Sequence, residues 1–193
     1  MSDHFFPMIA RMRYIDRWGL MRNTQSENIQ EHSHMVAVLA HALAVIRRDV
    51  FGEACDPDKC ASAALFHDAT EIFTGDLPTP IKYFNPTIRE AYQQVEEQAA
   101  EKLLGMLPDE MRSAYEPLLR EEDAEVRALV KAADKLAAYI KCLEELKAGN
   151  HEFADAAAET LAAVRNLSMK EADWFLEHCG DAFGLTLDGL QNR

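Results

Sequence analysis

The sequence predicts an all-α, single-domain protein, and three observations support this fold class. The 193 residues fit the size range of one domain. Eight Gly and seven Pro are few for a β-rich protein with many turns. Helix-favouring Ala, Leu, Glu and Met are plentiful, and apolar residues recur at three- and four-residue intervals. We expect one domain over residues 1–193, with its core motifs within about 28–140.

Local signals set the helix boundaries. The predicted helices cover residues 4–16, 28–48, 56–73, 87–107, 108–119, 123–148, 152–166 and 168–179. Asp56 as N-cap and Pro57 at the first helical position begin the third helix, which Gly75 follows as a terminator. Ser168 and Glu171 have the spacing of a capping box for the last helix.

Charge and cysteine content exclude several classes of protein. The net charge of −13 argues against a nucleic-acid polymer or an anionic membrane surface as partner. A small anionic substrate would need a local cationic site. The four cysteines form no Cys-x-x-Cys pair, so neither a disulfide framework nor a zinc ribbon is expected. With no recognisable signal peptide and no apolar stretch long enough to span a bilayer, the sequence predicts a cytoplasmic protein.

The chemistry centres on one stretch near the end of the third predicted helix. His67 and Asp68 are adjacent there, and Glu71 follows. On an α-helix, Glu71 would share a face with both of them. His67 and Asp68 can supply one nitrogen and one oxygen to a cation, but two side chains do not complete a coordination sphere. A metal site would need further ligands from elsewhere in the chain.

The second predicted helix offers a nitrogen ligand. His32 precedes Val36 and Leu39 on the apolar face, so it points inward. His34 and His41 lie on the opposite side of this helix. From the residues alone, His32 is either a metal ligand or a core histidine with a hydrogen-bond partner.

An acidic residue in the sixth predicted helix offers another ligand. Asp134 lies at the edge of an apolar stripe, where a carboxylate needs a partner. It either pairs with Lys131 or Lys135, or it binds a metal ion.

Two further segments could form a binding site. Arg17 and Trp18 are adjacent, either as a surface cation stacked on a ring or as a phosphate-binding guanidinium beside an apolar wall. The segment 75–86 contains three prolines, which forbid a regular helix. It is either a rigid connector or one wall of a binding site.

The pieces together resemble a known superfamily. His32, the His67-Asp68 pair and Asp134 match the His…His-Asp…Asp signature of the HD-domain metal-dependent phosphohydrolases. The local sequences around them closely resemble the YfbR-type bacterial 5′-deoxynucleotidases, from Phe5 to the last helix. The segments that carry this resemblance are Arg17-Trp18, 26–33, 66–71, Gly75-Asp76-Leu77-Pro78-Thr79-Pro80 with its continuation to Asn85, and 141–146. Gly19 is a departure that bears only on loop stiffness.

The resemblance implies a phosphatase that hydrolyses deoxyribonucleoside 5′-monophosphates and is selective against ribonucleotides. It implies one divalent metal ion, and the mixed nitrogen and oxygen donors suit Co²⁺, Mn²⁺ or a similar transition metal. The implied metal ligands are His32, His67, Asp68 and Asp134. Glu71 is implied as the general acid or base, although it could instead orient a metal ligand.

The resemblance also implies a set of substrate contacts. Arg17 would bind the phosphate and act in catalysis. Trp18 would pack against the sugar, and Asp76 would accept a hydrogen bond from the 3′-hydroxyl. The remaining implied contacts are Leu77, Pro78, Thr79, Asp68 and Asp134. A homodimer is implied too, and the Ala-rich predicted helix 152–166 is compatible with close packing in either the subunit or a dimer.

Two alternatives stay open at this point. One is an HD-type hydrolase of another nucleotide, such as a triphosphate, a cyclic nucleotide or a guanosine alarmone. The other is a non-catalytic regulatory module that holds a metal ion. Intact Arg17 and Glu71 argue against the second, because a non-catalytic site has no use for both.

Overall fold

The computed structural model describes residues 3–82 and 84–192, without the side chains of Thr79 and Pro80. The α-helices are α1 (Phe5–Ile9), α2 (Ile29–Val45), α3 (Pro57–Phe66), α4 (Glu71–Thr74), α5 (Thr79–Lys82), α6 (Pro86–Leu104), α7 (Asp109–Leu119), α8 (Ala124–Lys147), α9 (Ala154–Arg165), α10 (Lys170–Cys179) and α11 (Leu187–Gln191). Short 3-10 turns occupy Ala10–Tyr14, His151–Phe153 and Gly180–Gly184, and a π turn occupies Ile46–Val50. No strand occurs among the described residues, so the all-α prediction is confirmed.

The core lies where α2, α3, α8 and α10 pack together. Leu43 of α2 and Leu136 of α8 are completely buried in it, and Phe175 of α10 closes one side. Small residues of α3, such as Ala64, let that helix approach α2 closely. This packing fixes α2, α3 and α8 relative to one another, and these helices carry or precede the candidate ligands.

A second apolar cluster supports the other side of the site. Phe5 of α1 is fully buried against α6 and α7, with its ring 5.1 Å from that of Tyr115 in an edge-to-face arrangement. Ala69, which follows the His67-Asp68 pair, is buried in the same cluster. The turn that contains His67 and Asp68 is therefore held in place by packing against this second cluster.

Two boundary predictions were wrong in addition to that for the predicted helix 56–73, in which α3 ends at Phe66. Ser168 does not cap α10: it has a positive φ of 52°, and Glu171 is buried with its carboxylate accepting a 2.6 Å hydrogen bond from Arg47 Nε. The charge of Arg47 thus outweighs the local capping preference. In the proline-rich segment, α5 forms one helical turn after Pro78, because a proline is tolerated in the first turn of a helix.

A buried polar cluster fastens the loop after Trp18 to α8. Glu145 and Lys141, both almost fully buried, form an ion pair with 2.5 Å between Nζ and Oε1. The Glu145 carboxylate also accepts hydrogen bonds from the backbone and hydroxyl of Thr24 and from Asn150 Nδ2. Lys141 Nζ donates to the Gln25 carbonyl at 2.6 Å. Because all these groups are paired, this loop has a defined position over α8.

We expect Glu145→Gln to destabilise the fold by about 3 kcal/mol at neutral pH, because it leaves the Lys141 charge buried without its counter-charge. Burial opposes the charge on Glu145, but hydrogen bonds from Lys141, Asn150 and Thr24 outweigh it and hold its pKa below the usual range. A folded-state pKa below the unfolded one gives stability that is present above about pH 4.3 and is lost as pH falls. Urea unfolding at several pH values measures both effects.

The matched control is Glu144→Gln, since Glu144 is exposed on the same helix. That variant should change the free energy of unfolding by no more than about 0.5 kcal/mol. The difference between wild type and Glu145→Gln should shrink in acid. Equal losses in the two variants would contradict a buried charge pair.

Within residues 3–82 and 84–192, no helix combines the length and the apolar character needed to cross a membrane.

Candidate active site

The start of α2 places His32 inside the protein. The Asn28 side chain accepts hydrogen bonds from the backbone of Gln30 and Glu31, and the Glu31 carboxylate accepts one from the Asn28 N–H, so a capping box fixes where the helix begins. One turn later His32 is fully buried, whereas His34 is exposed. Only the predicted face of this helix therefore contributes to the site.

The predicted helix 56–73 is interrupted at His67. α3 ends at Phe66, and the next residues form turns in which backbone N–H groups bond to carbonyls three positions back, as from Glu71 to Asp68 at 3.0 Å. With about three residues per turn, positions three apart align and positions four apart do not. Glu71 is therefore aligned with Asp68 along this turn, whereas the α-helical spacing had aligned it with His67 as well.

The interrupted helix also fixes the orientation of the His67 ring. His67 Nδ1 donates a 2.7 Å hydrogen bond to the Ala64 carbonyl, which can only accept. In the neutral ring, Nε2 therefore carries the free lone pair. Nε2 is buried without a hydrogen-bond partner among the described residues and lies 3.2 Å from Asp68 Oδ2. A buried nitrogen with its lone pair free and its other nitrogen held by a carbonyl suits a metal ligand.

The structure brings the four predicted ligands together from three parts of the chain. The ligand atoms of His32, His67 and Asp68 lie within 4.8 Å of one another. Asp134 of α8 lies outside this group of three and contacts it through His32, with its Oδ1 3.0 Å from His32 Nε2. Among the ion pairs of the described residues, Asp134 is paired with His32 and not with Lys131 or Lys135. Two imidazoles and two carboxylates fit a divalent cation that keeps open positions for other oxygens.

The charges within this cluster favour a cation. Burial opposes ionisation of Asp68 and Asp134, but the neighbouring histidines outweigh it and lower the pKa of both carboxyl groups. Burial likewise opposes the imidazolium of His67, yet Asp68 and Asp134 raise its pKa to about 9. The carboxylates thus hold a proton on His67 that a divalent ion would displace.

The protonation of Glu71 is opposite to that of the candidate ligand carboxylates, Asp68 and Asp134. Its side chain is 5% exposed, and Oε2 has no hydrogen-bond partner within the described structure. Burial, together with the negative charges of Asp68 and Asp76, raises its pKa to about 9. One turn of chain thus holds an ionised carboxylate at Asp68 and a carboxyl group that retains its proton at Glu71.

Arg17 supplies the local cationic site that a protein with a net charge of −13 needs for an anionic substrate. Its Nε donates to Glu27 Oε2 at 3.1 Å, and its Nη1 lies 3.5 Å from Asp68 Oδ2. Burial opposes the charge, but Asp68, Asp134 and Glu27 raise the pKa of the guanidinium. The side chain is therefore a fixed cation at the edge of the cluster.

A cavity of about 580 Å³ opens beside these residues. Among the predicted contacts, its lining includes Arg17, Trp18, Asp76, Pro78 and Asp134. The volume suits a small organic molecule.

Three predicted contacts are placed less directly. Asp68 and the partly buried Leu77 are not among the described residues that line the cavity. The side chain of Thr79 lies outside the described part of the structure, and its backbone begins α5.

No pattern in the sequence predicted the opposite wall of the cavity, which α8 and α9 form. Ala138, Ala156 and Ala163 line it, together with Thr160. The alanine content of the predicted helix 152–166 suggested close packing. Ala157 is buried in one cluster and Ala156 packs against it, but Ala156 and Ala163 also line the cavity that Trp18 borders. Glu27 was missed as well, because its contacts with Arg17 and Trp18 span about ten residues and leave no local pattern.

Comparison with solved structures identifies the fold. An HD-domain phosphohydrolase from Listeria innocua superposes with a TM-score of 0.82 at 24% identity, covering 99% of this chain and 93% of that one. The cyanophage S-2L HD phosphohydrolase DatZ, solved with dA and one catalytic Zn²⁺ ion, gives a TM-score of 0.64 at 24% identity over 89% of this chain and 93% of its own. The fold is that of the HD-domain phosphohydrolases, as the sequence predicted.

Sequence comparison then gives the family. Residues 4–183 match the family described as 5′-deoxynucleotidase YfbR-like. A 5′-deoxynucleotidase from Vibrio cholerae is 49% identical over 98% of both chains. The 5′-deoxynucleotidase YfbR from Escherichia coli is 46% identical over 98% of this chain and 96% of its own. This chain belongs to the YfbR-like 5′-deoxynucleotidase family, which confirms the predicted resemblance.

Proposed function

We propose that this protein hydrolyses deoxyribonucleoside 5′-monophosphates to deoxyribonucleosides and phosphate. The observation that carries the proposal is the family match over nearly the whole chain, with 5′-deoxynucleotidases as relatives. The local geometry supports the same chemistry, because a cluster with metal-ligand character adjoins a cavity of suitable size for a small molecule. Residues 1–193 would act as one catalytic domain.

We assign the metal ligands as His32, His67, Asp68 and Asp134. When bound, a divalent ion supplies positive charge to the phosphoryl oxygens and makes water a stronger nucleophile. Co²⁺ and Mn²⁺ suit this donor set, and Zn²⁺ belongs in the same comparison. The buried, unpartnered His67 Nε2 is the feature that best supports this assignment.

Arg17 holds the phosphate in this proposal. Its Nε is already bonded to Glu27, so the two Nη groups remain for phosphate oxygens next to Asp68. A guanidinium fixed in this way orients the phosphorus for in-line attack. Arg17 therefore contacts the reacting group and counts as catalytic.

Glu71 acts as the general acid in this proposal. Its raised pKa, about 9, keeps a proton on the carboxyl group at neutral pH. Transfer of that proton to the departing 5′-oxygen avoids the release of an alkoxide. A cation bound at Asp68 favours the ionised form of Glu71 and so brings its pKa closer to neutrality, which suits proton transfer.

The sugar lies between Trp18 and the segment that begins at Asp76. Asp76 accepts a hydrogen bond from the 3′-hydroxyl, and Leu77, Pro78 and Thr79 complete the pocket. Selectivity against ribonucleotides then comes from exclusion of the 2′-hydroxyl by a stiff wall. A pocket that only excludes an added hydroxyl can discriminate by as little as about 100-fold, so strong selectivity needs a rigid wall.

Composition and family resemblance support a proposal for the oligomeric state and location of the enzyme. We propose a cytoplasmic homodimer that acts on a small nucleotide and not on a nucleic-acid polymer, because its net charge of −13 repels a polyanion. Size-exclusion chromatography with light scattering measures the subunit count.

The test is phosphate release from dAMP, AMP, 3′-dAMP and dATP, each with Co²⁺, Mn²⁺ and Zn²⁺. We expect release from dAMP, with kcat/KM for dAMP at least about tenfold above that for AMP. 3′-dAMP and dATP should be poor substrates, because each places its phosphates differently relative to the sugar pocket.

Three outcomes would revise this account. Equal rates with dAMP and AMP would remove the selectivity. Faster release from dATP than from dAMP would favour the triphosphate alternative. No phosphate from any monophosphate, despite bound metal, would overturn the proposed phosphatase activity.

A further inference from the structure

Glu27 lies beneath the two side chains that meet the phosphate and the sugar. A single carboxylate oxygen, Oε2, accepts hydrogen bonds from Arg17 Nε at 3.1 Å and from Trp18 Nε1 at 3.2 Å. The carboxylate is 17% exposed, and the Arg17 side chain is 12% exposed. Charge-assisted bonds at a mostly buried position restrict both partners strongly. In the proposed function Glu27 is only the partner of Arg17 Nε, with no role of its own.

The backbone of Glu27 reinforces the same connection. Its carbonyl accepts a 2.8 Å hydrogen bond from the Arg17 N–H, and the Ile29 N–H bonds to the Ile15 carbonyl at 3.0 Å. The chain before Trp18 therefore runs antiparallel to the chain after it, through the bridge between Asp16 and Asn28. The distal part of the loop is fastened to α8 by the cluster around Glu145. Glu27 thus occupies the closed base of a loop that is fixed at both ends.

Trp18 needs such support, because its backbone is in the left-handed region. Its φ is +58°, a conformation that costs a residue with a large side chain of order 1 kcal/mol or more. Contacts that hold it there include the Glu27 carboxylate, the Met21 N–H on its carbonyl at 2.9 Å, the Asn23 side chain on the same carbonyl at 3.4 Å, and the Phe153 ring with centroids 5.3 Å apart. Of these, Glu27 forms the hydrogen bond to the indole N–H, which gives the ring a directional partner.

We propose that Glu27 is a positioning residue that fixes Arg17 and Trp18 together and thereby sets the discrimination between deoxyribose and ribose. The proposal rests on the proposed function and deepens it. With Nε of Arg17 occupied, the Nη groups are presented to the phosphate. With Nε1 of Trp18 bonded to the same oxygen, the indole is a rigid wall at a fixed distance from that guanidinium. A change at Glu27 therefore affects phosphate alignment and sugar selectivity at once.

The kinetic test measures kcat and KM for dAMP and AMP in wild type, Glu27→Ala, Glu27→Asp and Glu27→Gln. Glu27→Ala should lower kcat/KM for dAMP about 10- to 100-fold, because small displacements of a positioning group are costly. The ratio of kcat/KM for dAMP to that for AMP should fall about tenfold towards one. Glu27→Gln, which keeps an acceptor oxygen, should retain most of the ratio, and Glu27→Asp should be intermediate.

A fluorescence experiment distinguishes a change in the position of Trp18 from a general loss of structure. The chain has two tryptophans, so a Trp174→Phe background leaves Trp18 as the sole emitter. Trp174 stacks on His178 and is not among the residues that line the cavity, so this background should retain activity. Adding Glu27→Ala should shift the Trp18 emission and weaken its response to deoxyadenosine relative to adenosine. Glu122→Ala, at an exposed position, is the control that should change neither readout.

The outcomes distinguish this inference from the proposed function. If wild type hydrolyses dAMP and Glu27→Ala keeps both the dAMP preference and the Trp18 emission, the inference is overturned and the phosphatase assignment stands. If wild type releases no phosphate, the phosphatase assignment fails. In that case, the binding of deoxyadenosine and adenosine to the metal-loaded protein decides whether Glu27 controls Trp18. Retained nucleoside discrimination in Glu27→Ala overturns the inference, and lost discrimination supports it.

Discussion

Glu71→Ala is expected to lower kcat for dAMP by about 1,000-fold while the protein keeps its bound metal, because it removes a proton donor and no metal ligand. Glu71 is 5% exposed, so the deletion leaves a small buried void next to Asp68. Metal content by elemental analysis and turnover by phosphate release are measured on the same preparation. Full activity in Glu71→Ala would remove this residue from the catalytic mechanism.

The pH profile of kcat gives a second view of Glu71. Activity that requires its protonated form falls as pH rises through its pKa. Without metal that pKa is raised to about 9, and a bound cation lowers it, so the alkaline limb should lie at or below about pH 9. Glu71→Gln keeps the shape of the side chain but removes the titratable group. The pH profile of its residual activity should therefore lack the alkaline limb. An unchanged alkaline limb in Glu71→Gln would assign that limb to another group.

Asp134→Asn is expected to weaken metal affinity by at least about 100-fold, because it replaces a charged ligand with a neutral amide. The amide oxygen can still accept a hydrogen bond from His32, so the metal-free fold should survive. Turnover should fall in proportion to bound metal and recover partly at high metal concentration. The two variants therefore separate the roles, since Glu71→Ala keeps metal without turnover and Asp134→Asn loses both.

Thermal unfolding provides the measurement for Asp134→Asn. A ligand at 100 times its dissociation constant stabilises the native state by about 2.7 kcal/mol, so added Mn²⁺ or Co²⁺ should raise the melting temperature of wild type. The same addition should leave Asp134→Asn nearly unchanged. Asp155→Asn, at an exposed position on α9, should respond like wild type. A wild-type response in Asp134→Asn would exclude Asp134 as a ligand.

The sequence was sufficient for those features that depend on short-range patterns. His32 could be selected over His34 because its apolar neighbours define an inward face, and the structure buries it completely. Asp134 could be selected because a carboxylate beside an apolar stripe needs a partner, and it lies 3.0 Å from His32. The residues alone left ligand and structural alternatives open for both, and family resemblance chose between them.

The features that the sequence did not predict depend on long-range contacts. The α-helix ends before His67 because the following backbone N–H groups bond to carbonyls three positions back. Burial of Ala69 in a separate cluster accompanies this change. Neither effect can be predicted from helix propensity. The sequence of α9 does not show which alanines pack against a neighbouring helix and which line a cavity, because this depends on where α8 lies. Glu27 acts through side chains ten residues away in sequence, so no local motif marks it.

The central claim is that one divalent ion at the cluster of His32, His67, Asp68 and Asp134 enables this protein to hydrolyse dAMP. The most direct measurement is phosphate release from dAMP by metal-depleted protein that is titrated with Mn²⁺ or Co²⁺. We expect no turnover at the start and a rise that levels off at one bound ion per chain. Full turnover in the depleted protein, or none with one ion bound per chain, would contradict the claim.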